Sequence, residues 1–286
     1  MNMENEIEIF RAEREDLDIM IEWAAREGWN PGLNDAECFW AADPEGFWTA
    51  RLNGEMVACM SVVRHERGFA FLGFYIVHPD FRGRGIGLAL WQFVTDKIDR
   101  RVVIGLDAVV EEEMTYRKAG FFKTHRSFRF GGNPGFTSID DNSDDLVEID
   151  AEHITAIKTY DREFFPSARE RFLDAWLSAS GHLGVAAVTN GDISGYGVIR
   201  PCREGHKIGP LFADDAETAE RLVRSLVAKS GADQIYLNPP FANDDALEMC
   251  ERLGLERVFE TVRMYRGLAP TMRFPGMFGI TSFELG

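Results

Sequence analysis

Positive charge is scarce in this 286-residue sequence, which has 31 Lys and Arg residues against 47 Asp and Glu residues and a formal net charge of -16. A surface this acidic has no overall attraction to phosphate backbones or to anionic lipid, so we expect no nucleic acid and no membrane among the partners. The acidity mildly favours cationic or amine-bearing partners, although a surface that serves only solubility explains it equally well.

Cysteine is also scarce, and its spacing indicates no site. The four cysteines contain no C-x-x-C pair, and the six histidines are dispersed. Scattered cysteines are typical of reduced core thiols in a cytosolic protein, whereas disulfide frameworks and zinc sites need recurring spacings. We therefore expect no metal. The four positions are Cys38, Cys59, Cys202 and Cys250.

Long apolar runs are missing as well. Residues 1–6 are acidic where a signal peptide would be basic, and no apolar stretch follows them. No segment approaches the roughly 18 consecutive apolar residues that a membrane helix requires. These features predict a cytoplasmic protein.

The length indicates two domains, at roughly 100–200 residues for each. Two segments contain almost nothing that could pack in a core, namely GGNPG at 131–135 and DDNSDD at 140–145. Such polar, glycine-rich segments are typical of linkers between domains. We expect a first domain at 1–132, a linker at 133–146 and a second domain at 147–286.

The hydrophobic pattern of the first half predicts helices and strands in mixed order. Apolar residues at helical spacing predict helices at 15–27, from 86 to about 100 and at 111–119. Strand-forming runs predict strands at 46–52, 55–64, 69–77, 102–109 and 121–130. The pair Asn53-Gly54 between the first two strands favours a tight hairpin turn.

The second half repeats this order of elements. Helices are predicted at 151–160, 168–179, 216–229 and 244–253, and strands at 184–189, 194–200, 207–212, 234–238 and 257–265. Ser167 and Glu170 fit a capping box at the start of the second helix. Two landmarks of the first half recur in the second: Asn53-Gly54 corresponds to Asn190-Gly191, and Gly120-Phe121 to Gly254-Leu255. The two pairs are separated by nearly the same number of residues, which suggests two copies of one fold.

A glycine-rich run, RGRGIG at 82–87, lies between a predicted strand and a predicted helix. Glycines permit a tight turn whose bare N–H groups converge on an anion at the positive end of the helix. Two arginines add charged donors. The spacing is neither that of a P-loop nor the G-x-G-x-x-G of a dinucleotide fold. The residues therefore predict a phosphate or pyrophosphate site of another kind.

At this point the sequence resembles the GNAT superfamily of N-acetyltransferases. Its acyl-CoA loop follows the pattern [Q/R]-x-x-G-x-[G/A], which Arg82, Gly85 and Gly87 match. Residues 75–79 (YIVHP) look like the end of that family's central strand, and 116–121 (YRKAGF) looks like its later Y-x-K-x-G-F signature. The resemblance covers about residues 6–130.

The segments WNPG at 29–32 and DPEGF at 43–47 are similar to bacterial two-domain, YitH-like acetyltransferases. This resemblance implies an α/β (α+β) fold of two tandem GNAT-like domains, each with a mixed, mostly antiparallel central sheet flanked by helices. It also implies an acetyl-CoA-dependent N-acetyltransferase that transfers an acetyl group to the amine of a small molecule or peptide. The formation of a homodimer is left undecided by the resemblance.

The resemblance also assigns roles to residues. The backbone of the central strand would pair with the pantetheine arm of acetyl-CoA, the loop would hold its pyrophosphate, and Tyr116 would protonate the leaving thiolate. Each position has a plainer interpretation as core, as surface charge or as a packed tyrosine. The implied acetyl-CoA contacts are Ile76, Val77, Arg82, Gly83, Arg84, Gly85, Ile86, Gly87 and Leu88.

Two departures from the family pattern leave the general base open. Val109 stands where the family often has asparagine, and residues 71–74 (FLGF) offer no carboxylate on the central strand. An attacking amine must be deprotonated. Asp107 at a strand end is the leading candidate, with Asp35 and Glu22 as others, and catalysis mainly by positioning is the alternative. An acyl-CoA sensor or scaffold without turnover is the alternative function.

The second copy carries carboxylates where the first has its glycine-rich loop. Asp214 and Asp215 precede the predicted helix at 216–229. Carboxylates cap a helix N-terminus and interact favourably with its dipole, but they repel a pyrophosphate. We expect the second domain to lack a CoA site of the same kind. These aspartates could instead draw a cationic amine towards the cleft.

Overall fold

The computed structural model of the chain describes residues 7–136 and 145–286, so residues 137–144 of the predicted linker lie outside the described part. Within these described residues, the first half forms six strands and four α-helices. Their order is β1 (Ile7–Arg11), α1 (Arg14–Arg26), α2 (Asp35–Ala42), β2 (Phe47–Leu52), β3 (Glu55–His65), β4 (Phe69–Val77), α3 (Ile86–Thr95), β5 (Val103–Val109), α4 (Glu113–Lys118) and β6 (Phe122–Gly132).

The second half repeats that order, as the sequence offset predicts. Its elements are β7 (Leu146–Glu148), α5 (Ile154–Asp161), α6 (Glu170–Ser178), β8 (Leu183–Thr189), β9 (Asp192–Pro201), β10 (His206–Ala213), α7 (Ala216–Ser230), β11 (Ile235–Leu237), α8 (Asp244–Arg252) and β12 (Glu256–Arg266). A further short strand, β13 (Met277–Gly279), has no counterpart among the described residues of the first half.

The strands of both halves join one mixed, mostly antiparallel sheet. Its order is β1-β2-β3-β4-β5-β12-β6-β11-β10-β9-β8-β7, with β13 paired to β10 off this path. Within each half a single parallel pair, β4 with β5 and β10 with β11, sits among antiparallel neighbours. The predicted fold class is confirmed.

The two halves exchange their last long strands. Strand β12 inserts between β5 and β6, pairing Arg263 with Asp107 on one side and Thr261 with Ser127 on the other. Strand β6 in turn pairs with β11 of the second half, at Phe130 and Leu237. Each half thus supplies a strand to the other's portion of the sheet. The domain division drawn from composition stays a prediction, because strands of the two halves interleave.

Aromatic side chains pack the helices of the two halves against each other. Phe39 of α2 stacks on Trp176 of α6 with ring centroids 6.2 Å apart, and it meets Phe74 of β4 edge-on at 5.9 Å. A fully buried ion pair, Arg200 Nε to Asp35 Oδ1 at 2.7 Å, lies in the same interface. Because Asp35 is held there, this candidate base is a structural residue between the halves.

The predicted capping box at Ser167 is wrong. Helix α6 begins at Glu170 with Arg169 as its N-cap, and no side chain caps it. The Ser167 hydroxyl donates instead to the carbonyl of Glu66 in the other half. The hydrogen bond from Ser167 to Glu66 thus takes the place of the hydrogen bond that Ser167 would make as a helix cap.

All four cysteines are buried and free. No helix in the described part of the chain is long and apolar enough to cross a lipid bilayer.

Candidate active site

Strand β4 separates from strand β5 part-way along its length. The two strands pair as far as Leu72 and Leu106, and β4 then continues to Val77 without that partner. The cause is a bulge: the register between β3 and β4 shifts, and Phe74 has a φ of 47°, which is uncommon for a bulky side chain. The N–H and C=O groups on this edge of β4 are therefore open to an extended ligand.

The glycine-rich loop opens helix α3. Gly85 is the N-cap of this helix, and no side chain caps the helix. The first backbone hydrogen bond of the helix is donated by the Ala89 N–H to the Gly85 carbonyl, at 3.0 Å. Gly83 and Gly85 have φ of 74° and 80°, and a Cβ on either would meet nothing within 4 Å. The loop therefore presents bare N–H groups at the positive end of a helix dipole, beside open space.

The two loop arginines brace this turn from within. The Arg82 N–H donates to a carbonyl earlier in the loop, its Nε donates to the Val77 carbonyl at 2.9 Å, and its guanidinium pairs with Glu27 at the end of α1. Arg84 donates to the Asp80 carbonyl at 2.7 Å. Arg82 thus fixes the loop against β4 and the end of α1, and Arg84 closes the turn onto Asp80, which the sequence motif alone did not indicate.

Two tyrosines face the open cleft. Tyr116 on α4 is half-buried between Trp91 and Phe121, with ring centroids 5.7 and 6.1 Å away. Tyr75 on β4 contacts Trp91 at 5.4 Å, and its hydroxyl lies 2.8 Å from where a Cβ on Gly87 would stand. Burial, and after it nearby acidic groups, raises the pKa of Tyr116 and raises that of Tyr75 to about 12. Both hydroxyls therefore stay protonated at neutral pH.

Asp107 is engaged by the second half of the chain. Its two carboxylate oxygens accept hydrogen bonds from Arg263 Nε at 2.8 Å and Nη2 at 2.7 Å, and its side chain is fully buried. A bidentate pair of this kind stabilises the ionised carboxylate. Both oxygens of Asp107 are therefore engaged in holding Arg263 of the second half.

One cavity of about 570 Å³ connects these features. It runs from Arg82 and Val77 at the loop, past Tyr116, to Asp107 on β5. Sequence reasoning gave no role to several of its walls. Tyr75 lies on β4 beside two predicted residues, whereas the other walls come from segments distant from β4 in the chain. These are Glu27, Trp29, Phe259, Thr261 and Phe283.

Strand β13 fills the corresponding gap in the second half. Strands β10 and β11 pair only as far as Ile208 and Leu237, and β13 then pairs with Leu211 and Phe212 of β10. The edge that β4 leaves open in the first half is thus covered here by the chain itself.

The two aspartates before helix α7 also have structural partners. Asp215 caps helix α7 by accepting from the Thr218 N–H at 2.8 Å, as the sequence predicts. Asp214 accepts from the Tyr160 hydroxyl at 3.0 Å and pairs with Arg273 at 2.9 Å. Asp214 is thus paired with a cation and Asp215 serves as a cap, and attraction of a cationic amine by these aspartates stays a prediction.

The residues present fit a nucleotide thioester such as acetyl-CoA. The uncapped helix offers donors for a pyrophosphate, the open edge of β4 offers a partner for an extended amide-bearing arm, and the cavity continues to a protonated tyrosine. Among the described residues, no group of three or more His, Cys, Asp or Glu side chains is placed to hold a metal ion.

Comparison with known proteins agrees with this geometry. The model of the acetyltransferase (GNAT) family matches residues 9–122, and that of an acetyltransferase (GNAT) domain matches residues 157–279. The holothin acyltransferase of Pseudoalteromonas sp. (strain SANK 73390) is 32% identical over 276 residues, which covers 96% of this chain and 93% of that protein. The chain belongs to the GNAT acetyltransferase family.

Other relatives agree with the tandem arrangement. The uncharacterized N-acetyltransferase YitH of Bacillus subtilis (strain 168) is 22% identical over 225 residues, covering 77% of this chain and 78% of that protein. The crystal structure of a candidate acetyltransferase from Pyrococcus horikoshii superposes with a TM-score of 0.81 at 23% identity, covering 100% of this chain and 98% of that one. The predicted identity, a tandem GNAT acyltransferase, is confirmed.

Proposed function

We propose that this GNAT protein is an acetyl-CoA-dependent N-acetyltransferase with one active site, in its first half. The observation that carries the proposal is the continuity of three features in one cavity: the bare N–H groups before α3, the unpaired edge of β4 and the Tyr116 ring. Each suits one part of the donor, namely pyrophosphate, pantetheine and thioester sulfur.

Binding of acetyl-CoA would use mostly backbone groups. Ile76 and Val77 lie where β4 has no β5 partner, and the main-chain groups left free there can pair with the amides of pantetheine; the Val77 carbonyl already accepts from Arg82 Nε. The N–H groups from Gly83 to Leu88 would hold the pyrophosphate at the helix terminus. The side chain of Arg82 would support this site indirectly, because it bonds to the end of β4 and to Glu27.

Transfer joins the acceptor nitrogen to the acetyl carbon as the carbon–sulfur bond breaks. The nitrogen lone pair forms the amide, the nitrogen loses one proton, and the sulfur leaves as a thiolate that gains one. Tyr116 would supply that proton, because its raised pKa keeps the hydroxyl protonated, and the proton that the nitrogen loses would restore the hydroxyl. Among the described residues, no hydrogen-bond partner occupies this hydroxyl.

We assign Asp107 a supporting role beside this step. With both oxygens bonded to Arg263, it would fix β5 and β12 together at the acceptor end of the cavity. The cavity therefore supports transfer that depends mainly on positioning the amine next to the thioester.

The acceptor is proposed to be an amine-bearing small molecule. The relative from Pseudoalteromonas is called a holothin acyltransferase, so that protein acylates a discrete compound. A cavity of about 570 Å³ is of the size that takes drug-sized ligands, and it must also hold the acetyl end of the donor. The proposal keeps a cytoplasmic location, where the four free buried thiols would stay reduced.

The test is release of free thiol from acetyl-CoA by the full chain in the presence of a panel of amines. We expect amine-dependent release, with an N-acetylated product found by mass spectrometry. Binding of acetyl-CoA without release for any amine would instead indicate the sensor or scaffold. Gly85→Glu should abolish release, because its carboxylate would stand among the N–H groups of the loop.

A further inference from the structure

The end of the cavity beyond Asp107 is lined by aromatic rings from three separate segments. Trp29 comes from the loop after α1, Phe259 from β12 and Phe283 from the segment after β13. Phe259 and Phe283 lie with ring centroids 6.0 Å apart at an interplanar angle of 46°. This end of the cavity combines flat apolar surfaces from both halves of the chain.

A buried cation holds the three residues in place. The Arg129 guanidinium lies 5.5 Å from the Phe259 ring centroid and 4.9 Å from that of Phe283, and its Nη1 donates to the Trp29 carbonyl at 2.9 Å. Lys207 Nζ donates to the same carbonyl at 2.9 Å. Since Arg129 and Lys207 are almost fully buried, the aromatic end is pre-formed rather than assembled around a ligand.

Among the residues that line the cavity, no buried carboxylate is without a cationic partner. The carboxylate of Asp107 is neutralised by Arg263, and Glu27 is paired with Arg82 at the loop. Glu111 and Glu112 also line the cavity, but both are exposed to solvent. Glu284, next to Phe283 in the chain, is buried with one carboxylate oxygen unpartnered, but it is not among the residues that line the cavity. A cationic amine therefore meets no unpaired buried carboxylate in the lining, and it meets the buried Arg129 guanidinium behind the two phenylalanine rings.

We propose that the acceptor is a small amine whose NH₂ group is bonded directly to an aromatic or conjugated ring; this rests on the proposed acetyltransferase function. Conjugation leaves such an amine unprotonated at neutral pH, so no base is needed before attack. The ring stacks against Trp29, Phe259 and Phe283. The reaction balances as acetyl-CoA plus ring amine giving ring N-acetyl amide plus CoA thiol, with Tyr116 protonating the leaving sulfur and taking up the proton that the nitrogen loses.

Thr261 adds a polar contact to this assignment. Its hydroxyl is buried, lines the cavity on β12 between Phe259 and Arg263, and has no partner among the described residues. A heteroatom or substituent on the ring can satisfy it. The class therefore includes heteroaromatic amines as well as simple anilines.

The experiment compares matched amines with the full chain and acetyl-CoA. Aniline, benzylamine, cyclohexylamine and spermidine separate conjugation, aromaticity and charge. We expect kcat/KM for aniline to exceed that for cyclohexylamine and spermidine by at least about tenfold at pH 7, with benzylamine between them. The advantage over benzylamine should shrink as pH rises, because free benzylamine becomes available.

A matched pair of variants places the effect in the cavity. Phe259→Leu should lower kcat/KM for aniline about threefold to tenfold, in line with the modest worth of aromatic contacts, and change that for cyclohexylamine less than twofold. Phe241→Leu alters an exposed phenylalanine outside the cavity lining and should change neither. Equal or better use of cyclohexylamine or spermidine would overturn the assignment while leaving acetyl transfer intact.

A binding measurement separates this assignment from the proposed catalysis. Titration of aniline into the CoA-saturated protein should give heat that Phe259→Leu weakens and Phe241→Leu does not. Such binding without any turnover would support the ring-amine site and contradict the acetyltransferase function. Absence of aniline binding in the wild-type protein would overturn the ring-amine site.

Discussion

Asp107 and Arg263 belong to opposite halves of the chain, yet their side chains share two hydrogen bonds of 2.8 and 2.7 Å across neighbouring strands. They are partners because β12 inserts beside β5, pairing Arg263 with Asp107 in register. The guanidinium also lies 4.9 Å from the Phe71 ring centroid. The second half of the chain thereby builds one wall of the first half's cavity.

Removing one partner of this pair should destabilise the fold strongly. Arg263→Met leaves the Asp107 carboxylate buried without a counter-ion, and we expect the free energy of unfolding to fall by about 3–5 kcal/mol. Adding Asp107→Asn to that variant should restore part of the loss. Urea unfolding measures both. An exposed pair serves as control: Glu170→Gln, which breaks the contact with Arg162, should change little. Full stability of Arg263→Met would contradict this role.

Tyr116→Phe should slow turnover without weakening donor binding. The variant removes a hydroxyl that stays protonated at neutral pH and keeps the ring against Trp91 and Phe121. We expect kcat to fall roughly tenfold to a thousandfold, within the range of general-acid contributions, with acetyl-CoA affinity almost unchanged.

Tyr75→Phe is the matched control, because it removes the second tyrosine hydroxyl that lines the cavity. We expect it to change kcat less than Tyr116→Phe does. If Tyr75→Phe has the larger effect on kcat, the proton donor is Tyr75 and Tyr116 is a packing residue.

Lys207 should make stability depend on pH in the alkaline range. Burial, and after it the charge of Arg129, lowers the pKa of Lys207 from its ordinary 10.5 to about 7. Between these values the unfolded chain holds a proton that the folded chain lacks, so this group's contribution to stability rises with pH there and is level outside that window.

The measurement is urea unfolding of the wild type and of Lys207→Met at pH 6, 7.5 and 9. The difference in unfolding free energy between them should change in favour of the wild type by at most about 1.4 kcal/mol for each pH unit above 7. A difference that is constant across the three pH values would show that Lys207 does not titrate in this window.

Local features of this fold were predictable from the sequence. Strand β4 was predicted with its observed limits, and the Asn53-Gly54 hairpin and helix α1 were placed within a residue or two. These elements depend on hydrophobic period, turn chemistry and caps that lie close together in the chain. The uncapped glycine-rich turn before α3 belongs to the same class, since its glycines and the helix that follows are neighbours in the sequence.

The acceptor end of the cavity was not predictable in this way. Thr261 enters it only because β12 pairs with β5 from more than a hundred residues away, and Phe283 only because β13 closes the second half's gap. Pairing over such distances depends on competition among strands, which a local pattern does not encode. The fully engaged state of Asp107 follows from the same exchange.

The central claim is a single acetyl-CoA site at the loop before α3, and calorimetric titration tests it most directly. The wild type should bind one acetyl-CoA per chain, because β13 and Asp215 close the second half. Gly85→Glu should lose binding, while Gly191→Glu, at a hairpin glycine with a similar φ of 89° and equally open surroundings, should keep it. Two sites per chain, no binding by the wild type, or undiminished binding by Gly85→Glu would contradict the account.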